Sequence, residues 1–303
     1  MNNYASISKF IEFKCGGLPK AVKRLGGGYY ADVYLVVFEF PAENIVIKVY
    51  KTNNMLSEEQ AQISILKKHS LFTMPQILWT HFSDELFKND VLAMSFLEGE
   101  NGGTIHYFSQ KKRDELANQV IENLLSWHNT TNEAGFGAIN SKIYCKNWND
   151  YYQKRVNNIF EMAVKMFESD RLPQKTLTVM ENALQSYKKI FSVPVLEASL
   201  IHGDYNMYNV LVNKKSCCVT AVIDPCNCMW ADRELDLYQL NNANGKHLRL
   251  LENYAKRHPL SDNFLQKTAF YELFTEIEHY YKSGHPIVTY SVSKQTDLLK
   301  QFI

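Results

Sequence analysis

The sequence predicts an α+β protein in which a small β-rich N-terminal part precedes a larger, mostly helical part. Two observations carry this prediction. Apolar and β-branched residues alternate at strand spacing through most of residues 20–50, whereas apolar residues recur at helical spacing in several stretches beyond residue 110. Between the two parts lies the glycine-rich run EGENGG, at residues 98–103. We therefore expect an N-terminal lobe over residues 1–98 and a C-terminal lobe over residues 99–303.

The N-terminal third is typical of a small sheet with one helix. Strands are predicted within KRLGGGYY, ADVYLVVFEF and NIVIKVY, and over Met74–Trp79 and Val91–Phe96. Ser57 is a good N-cap residue, and Ile63 and Leu66 follow it at helical spacing, which predicts a helix over Ser57–Lys68.

The rest of the chain is predicted to be largely helical. Helices are expected over Lys112–Trp127, Tyr151–Phe167, residues 174–190 and residues 265–283. Two short apolar runs, NVLV and VTAVID, interrupt them with strand character. A hairpin of strands inside the helical part is the expected result.

Composition excludes several classes of function. The 303 residues are 46% hydrophobic, which is enough for one large core or two moderate ones. The formal net charge of +1 gives no basic surplus for nucleic acid. No apolar run approaches the length of a membrane span, and the first residues lack the layout of a signal peptide. We expect a soluble cytoplasmic protein that contacts neither nucleic acid nor membrane.

Six cysteines raise the question of a metal or redox site. Four of them are close in sequence: Cys217, Cys218, Cys226 and Cys228. The chain holds no CxxC pair, so reduced thiols are favoured over a structural zinc. Cys226 and Cys228 would face the same side of an extended chain, and oxidation there is a hypothesis that rests on proximity to Asp224 alone.

The loop HGDYNMYN carries the clearest chemistry. Asp204 and Asn209 stand five residues apart in it, directly before a short strand, and Asp224 ends the next predicted strand. Phosphoryl transfer from ATP needs a carboxylate that orients the attacking hydroxyl, and oxygen ligands for Mg²⁺. A hairpin through residues 213–216 would bring Asp224 back beside Asp204. A loop whose Asp and Asn only cap backbone groups is the alternative, and the strand context favours catalysis.

A phosphate-binding element precedes this loop in the chain. Gly26, Gly27 and Gly28 lie before a predicted strand, where their backbone N–H groups could approach phosphates. Lys48 is flanked by apolar residues on the next strand, and Glu59 lies on the helix that follows. A strand Lys braced by a helix Glu is the arrangement that holds ATP phosphates. A flexible turn and a solvated edge-strand Lys are the alternatives.

These segments together resemble a known superfamily. GGGYYADVYLV, VIKV, HGDYNMYNVLV and VIDP are similar to the protein-kinase-like small-molecule phosphotransferases, of the aminoglycoside phosphotransferase and choline kinase type. VIDPCNCMWADRELDL and FYELFTEIEHYYKSG are most similar to the fructosamine-kinase family. The resemblance spans residues 20–285. It implies a two-lobed fold, with ATP and Mg²⁺ bound between a β-rich lobe and a helical lobe.

The resemblance also implies a role for individual residues. Asp204 would be the base, Asn209 and Asp224 the Mg²⁺ ligands, and Lys48 and Glu59 the ion pair on the phosphates. The adenine-contacting hinge would be Ser95, Phe96 and Leu97. His202 would brace the catalytic loop, and Asp236 would hold its backbone.

Departures from protein kinases indicate a small acceptor. Gly203 stands where protein kinases have an Arg, and only seven residues separate Pro225 from Arg233, which leaves no room for a peptide-docking segment. Tyr205 is expected to line the acceptor pocket. The leading hypothesis is an ATP- and Mg²⁺-dependent kinase acting on a hydroxyl of a small polar metabolite, with a ketosamine as one candidate.

Two other functions stay open. An aminoglycoside phosphotransferase would need carboxylates for a polycation, yet residues 261–303 hold five acidic residues against four lysines. A nucleotide-binding regulator without catalysis is the third reading, and the presence of every expected catalytic element argues against it.

Overall fold

The computed structural model describes residues 3–28, 30–39, 43–52, 54–105, 109–283 and 288–303. The predicted α+β class is confirmed: a β-rich N-terminal sheet precedes a helical C-terminal part. The helices are α1 Asn3–Cys15, α2 Met55–His69, α3 Gln110–His128, α4 Trp148–Glu168, α5 Gln174–Gln185, α6 Tyr187–Ile190, α7 Leu250–Arg257, α8 Phe264–Ser283 and α9 Val288–Leu299. The strands are β1 Ala21–Gly27, β2 Ala31–Val37, β3 Ile45–Tyr50, β4 Ile77–His81, β5 Val91–Ser95, β6 Glu100–Asn101, β7 Gly137–Ala138, β8 Ser199–Ile201, β9 Val210–Asn213, β10 Cys218–Val222 and β11 Met229–Ala231. Within the described ranges, 3₁₀ helices span Gly102–Thr104, Met207–Asn209 and Arg233–Asn241.

The N-terminal sheet is antiparallel, with the strand order β1-β2-β3-β5-β4. Helix α1, which the sequence patterns did not predict, packs Ile7, Phe10 and Ile11 on one face of the sheet. Helix α2 packs Leu56 and Ile63 on the other face. Both faces are thereby removed from water, which explains why β3 and β5 are buried along most of their length.

Helix α2 begins earlier than predicted. Its first residue is Met55, and the residue before it, Asn54, has a left-handed backbone and makes no capping bond through its side chain. Ser57, the predicted N-cap, lies inside the helix. The reason is packing, because Leu56 is fully buried against the sheet and draws the first turn into the helix.

The C-terminal part has a core formed mainly by α4, α5, α8 and α9. Helix α3 packs beside this core on the segment that carries the polar loop, with Leu116, Val120 and Leu124 buried. The stretch predicted as one helix over residues 174–190 is divided at Ser186 into α5 and α6. The lobe boundary between residues 98 and 99 stays a prediction.

The predicted hairpin is present, with one difference at its end. Strands β9 and β10 pair antiparallel, and β6 adds a third strand to β9. Strand β10 ends at Val222, so Asp224 lies two residues beyond it, with a positive φ of 60°. Asp224 was predicted to be the last residue of the strand, and it lies instead in the turn that follows the strand.

All six cysteines are free thiols. Cys228 is buried in the core beside α3, whereas Cys226 lines a cavity. The expectation that both face the same side is therefore wrong, because Asn227 between them has a positive φ of 61° that breaks the extended chain. Among the described residues, no group of His, Cys, Asp and Glu has a metal-binding arrangement of its own. Nor does any helix in the described ranges combine the length and apolar character needed to cross a membrane.

Candidate active site

The polar loop turns sharply between β8 and β9, and Gly203 makes that turn possible. Gly203 has a φ of 83°, which favours glycine. A Cβ atom at this position would lie 1.9 Å from the backbone oxygen of Cys226. No larger residue can occupy this position without moving backbone, so the loop and the segment after Asp224 are packed directly on each other.

Asp236 holds this turn from the neighbouring 3₁₀ helix. Its two carboxylate oxygens accept hydrogen bonds from the backbone N–H groups of His202 at 2.8 Å and Gly203 at 2.7 Å. The ring of His202 packs against Trp127, and burial lowers the pKa of His202 to about 4. The neutral ring accepts a bond from the backbone N–H of Asp204 at 3.3 Å. The backbone that leads into Asp204 is thus fixed.

The carboxylate of Asp204 is oriented by two amides of its own loop. Asn206 donates to Oδ1 at 2.8 Å, and Asn209 donates to Oδ2 at 2.9 Å. Burial, followed by the charge of Asp224, raises the pKa of Asp204 to about 8. A carboxylate held in one orientation with a pKa near neutrality has the properties of a general base.

Asn209 and Asp224 present oxygen atoms that suit a hard cation. The amide nitrogen of Asn209 is used in its bonds to Asp204, so its amide oxygen is the atom left for a ligand. Asp224 lines the cavity described below, and its side chain is 48% exposed. Asn209 is buried and is not among the residues that line this cavity. A carboxylate and an amide oxygen fit the few protein ligands that Mg²⁺ takes, and the role of Asn209 as a ligand stays a prediction.

Lys48 lies between two carboxylates. Its Nζ atom is 2.7 Å from Oε1 of Glu59 on α2 and 2.5 Å from Oδ1 of Asp224. Burial acts to lower the pKa of Lys48, but Asp224 and Glu59 outweigh it and raise the pKa. Tyr50 donates to Oε2 of Glu59 at 2.7 Å, which fixes the second oxygen of that buried carboxylate. The structure thus brings together Lys48, Glu59 and Asp224.

The three glycines lie at the β1–β2 turn, and they differ in surroundings. Gly26 and Gly27 are the last residues of β1, and a Cβ atom on Gly27 would lie 2.4 Å from the side chain of Asp32. Gly28 lines the cavity, and its backbone N–H donates to the carbonyl of Ala31. Tyr29, the next residue of the predicted motif, lies outside the described residues.

A cavity of about 630 Å³ lies between these elements. Its lining includes Lys48, Glu59, Asp204 and Asp224. Sequence patterns did not identify several other lining residues: Glu58, Gln62, Asn206, Tyr208, Gln239, Asn242, Glu276, His279 and Lys282. On α8 the spacing of Glu276, His279 and Lys282 puts them on one helical face, a signal that was present in the sequence.

The predicted adenine hinge is not part of this cavity. Ser95, Phe96 and Leu97 are absent from its lining. The hydroxyl of Ser95 accepts a bond from the backbone N–H of Gln76, so it joins β5 to the segment before β4. The contact between this hinge and adenine stays a prediction.

The predicted contact between Tyr205 and an acceptor is wrong. Tyr205 is fully buried, its hydroxyl donates to the backbone oxygen of Val120 at 3.0 Å, and its ring packs against Trp127. The 3₁₀ turn that follows reverses the chain, so Tyr208 is the loop tyrosine that is exposed on the cavity.

The chain is similar in sequence to a known protein family and to a bacterial protein. The sequence profile of the phosphotransferase enzyme family matches residues 21–266. The uncharacterized protein YcbJ of Escherichia coli K12 is 23% identical over 223 residues, which cover 73% of each chain.

Solved structures show the same fold. A candidate fructosamine-3-kinase from Haemophilus somnus 129PT superimposes with a TM-score of 0.71 at 17% identity, over all of both chains. The GDP and kanamycin complex of the aminoglycoside phosphotransferase APH(2″)-IIIa superimposes with a TM-score of 0.69 at 18% identity, over 97% of each chain.

Proposed function

The chain belongs to the phosphotransferase enzyme family, and from that membership we propose that it transfers the γ-phosphate of ATP to a small polar metabolite, with Mg²⁺ bound. It is a small-molecule phosphotransferase with an alcohol group as acceptor. The donor, the metal and the identity of the acceptor are our proposal. Its main support is that Lys48, which is 176 positions before Asp224 in the chain, lines one cavity with Asp204 and Asp224.

Lys48 is the proposed phosphate ligand. Its ammonium is braced by the buried Glu59, so the charge is held in place while the partly exposed Asp224 can be exchanged for a phosphate oxygen. Asn209 and Asp224 would hold Mg²⁺, which supplies positive charge against the triphosphate. Gly28 carries backbone groups on the same cavity and is proposed to face the phosphates, together with the neighbouring Gly26 and Gly27.

Asp204 is the proposed base. Asn206 and Asn209 orient its carboxylate, and the raised pKa makes the ionised form a stronger acceptor for the proton of an acceptor hydroxyl. The proton passes to Oδ1 or Oδ2 as the oxygen of the acceptor forms its bond to the γ-phosphorus and the bond to the leaving ADP breaks. Asp236 and His202 would keep the backbone of this loop in place.

The acceptor is proposed to lie against α8. Glu276, His279 and Lys282 line the cavity there, together with Asp204, Asn206 and Tyr208 of the catalytic loop. Hydrogen-bonding and charged side chains of this kind favour a polar molecule with hydroxyl groups over an apolar one. A ketosamine is the leading candidate, since one similar structure is that of a candidate fructosamine-3-kinase.

An aminoglycoside is a second candidate, favoured by the charges on the cavity. Glu58 and Glu276 add carboxylates to those of Asp204 and Asp224. Lys282, on the same wall, is bonded to Glu278 at 2.8 Å, which reduces its effect on a cationic ligand. Burial raises the pKa of Glu276 above its ordinary value. The carboxylates of the cavity together would attract a polycation.

The experiment is an acceptor screen that measures ADP release. Ketosamines, sugars, amino alcohols and kanamycin are each added with ATP, with Mg²⁺ or with EDTA, and GTP replaces ATP in a parallel series. We expect Mg²⁺-dependent release of ADP with at least one small acceptor. Preference for kanamycin would support the second candidate. Nucleotide binding without transfer to any acceptor would contradict the proposal and favour a regulatory role.

A further inference from the structure

A buried ion cluster lies outside the proposed site and has no part in the chemistry described above. Nζ of Lys267, on α8, is 2.6 Å from Oδ2 of Asp232 and 2.8 Å from Oε2 of Glu234. The three side chains are 3%, 4% and 4% exposed, and none lines the catalytic cavity. Burying three charges is costly, and apolar residues of the same size would hold a helix about as well. Ion pairs add a fixed direction and distance between the two segments that they join.

The two carboxylates belong to a segment that also holds the catalytic loop. In the run DRELDL, Asp232 and Glu234 bind α8, whereas Asp236 binds the backbone N–H groups of His202 and Gly203. One short stretch of backbone is therefore tied to α8 at its start and to the residue before Asp204 four positions later.

Further bonds strengthen the attachment of α8. Tyr271, one turn after Lys267, donates to Oδ2 of Asp232 at 2.7 Å. Both oxygens of Glu234 accept bonds from Ser261, which lies just before the helix. Among these partners, Lys267 alone contacts both carboxylates through a charge. Its removal would leave two buried carboxylates facing each other.

The far end of the same helix forms a wall of the catalytic cavity. Glu276 lies nine residues after Lys267, about 13 Å along a helix that rises 1.5 Å per residue. Gln239, near the end of the 3₁₀ helix, lines the cavity as well. A rigid helix converts a small tilt at Lys267 into a displacement at Glu276. A misplacement of about 1 Å in an active site can cost about 100-fold in rate.

We propose that Lys267 is a positioning residue, which fixes α8 to the DRELDL segment. It thereby sets the distance between Asp204 and the wall of the cavity that α8 forms. This inference rests on the proposed function, because it assigns α8 to the acceptor. Lys267 itself contacts no substrate. Its effect reaches the reaction through Glu276 on one side and through Asp236 on the other.

The test compares Lys267→Met with Lys267→Arg and with Ile11→Ala. Ile11 is fully buried between α1 and the N-terminal sheet, in a cluster that contains no residue of α8, so Ile11→Ala lowers stability without touching α8. Hydrogen–deuterium exchange of residues 199–209 is measured first, because it needs no acceptor. Calorimetry gives the Kd for ADP with Mg²⁺. Turnover per folded molecule is then measured with ATP and the acceptor that the screen identifies.

A positioning role predicts a specific set of results. Lys267→Met accelerates exchange over residues 199–209 and lowers kcat/KM for the acceptor by about 100-fold, while the Kd for ADP changes less than about twofold. Lys267→Arg, which can still bridge both carboxylates, recovers most of the activity. Ile11→Ala keeps wild-type exchange and turnover per folded molecule, even if it lowers the Tm as much as Lys267→Met does.

Other outcomes overturn the inference. Equal turnover per folded molecule in Lys267→Met and wild type would show that the cluster only stabilises the fold. If Lys267→Met does not fold, Lys267→Gln combined with Glu234→Gln removes two of the charges, keeps hydrogen-bonding groups, and is judged by the same criteria. A wild-type protein without any transfer would instead contradict the proposed function, and the exchange result would still test the link between α8 and the loop.

Discussion

The ammonium of Lys48 lies 2.5 Å from the carboxylate of Asp224, although the two residues are 176 positions apart in the chain. One partner is the proposed phosphate ligand and the other a proposed metal ligand. The two charges therefore offset each other in this contact. On the proposed function, binding of a nucleotide with Mg²⁺ would replace this contact with two new ones, one to a phosphate and one to the metal.

Asp224→Asn should affect the contact with phosphate and the contact with the metal differently. The substitution removes a negative charge beside Lys48, so the affinity for ADP in EDTA stays equal or increases. The gain in affinity that Mg²⁺ provides should fall by more than about tenfold, since even changes to the partners of metal ligands typically cost about 10- to 100-fold in metal affinity. Calorimetric titration with ADP, with and without Mg²⁺, measures both quantities. A full Mg²⁺ effect in the variant would remove Asp224 from the metal site.

Glu59→Ala should destabilise the fold, whereas Glu58→Ala should not. Glu59 is buried and bonded to Lys48 and Tyr50, while its neighbour Glu58 is exposed on the same helix. Lys48 would keep its contact with the partly exposed Asp224, but Tyr50 would lose the acceptor of its buried hydroxyl and Lys48 its buried partner, so we expect a loss of about 2 kcal/mol in the free energy of unfolding. Urea denaturation of both variants makes the comparison. Equal stabilities would mean that the pair contributes nothing to folding.

Tyr205→Phe should lower stability and leave turnover unchanged. The hydroxyl of Tyr205 donates to Val120 in the core, and its loss costs about 1 kcal/mol. Tyr208→Phe, at the exposed position on the cavity, should leave stability unchanged. Thermal unfolding and kcat of the two variants check this. A change in KM for the acceptor in Tyr205→Phe would restore the role that the sequence suggested.

The stability that Glu278 contributes should disappear in acid. Burial acts to raise the pKa of Glu278, but Arg155 and Lys282 outweigh it and lower the pKa to about 2. A carboxyl with a lowered pKa stabilises the fold above its unfolded pKa, near 4.5, and loses that effect as the pH falls towards 2. Glu278→Gln should therefore cost about 3 kcal/mol at pH 7 and progressively less below pH 4.5.

Urea denaturation of wild type and Glu278→Gln at pH 7, 5 and 3 measures this dependence. Glu252→Gln, at an exposed position on α7, is the control and should change stability little at any pH. A difference between wild type and Glu278→Gln that does not narrow from pH 5 to pH 3 would contradict the assignment of the ion pair.

Local patterns predicted most of the fold, and their failures have physical causes. The alternation in β2 and β3 and the helical spacing in α3 and α4 predicted these elements to within a few residues. The start of α2 was wrong because burial of Leu56 outweighs the capping preference of Ser57. Helix α1 has weak amphipathic patterning, and only the presence of the sheet gives Phe10 and Ile11 a place to pack.

The sequence predicted those parts of the site in which the spacing of residues along the chain determines which side chains lie close together. Asp204, Asn209 and Asp224 are joined by one hairpin, so their meeting follows from local sequence. Tyr205 could not be placed in this way, because the direction of a side chain in an irregular loop depends on the 3₁₀ turn after it. The position of α8 beside the cavity could not be predicted from the sequence either, because the bonds of Lys267 to Asp232 and Glu234 join segments more than thirty residues apart.

Asp204→Asn tests the central claim most directly. The amide keeps the size of the side chain but cannot accept the proton of the acceptor hydroxyl, so turnover should fall by about 100-fold or more. The Kd for ADP with Mg²⁺ should change little, because Lys48 and Asp224 remain. Asp262→Asn, an exposed position just before α8, is the matched control and should keep wild-type turnover. ADP release by Asp204→Asn at the wild-type rate, with the acceptor that the screen identifies, would contradict the account.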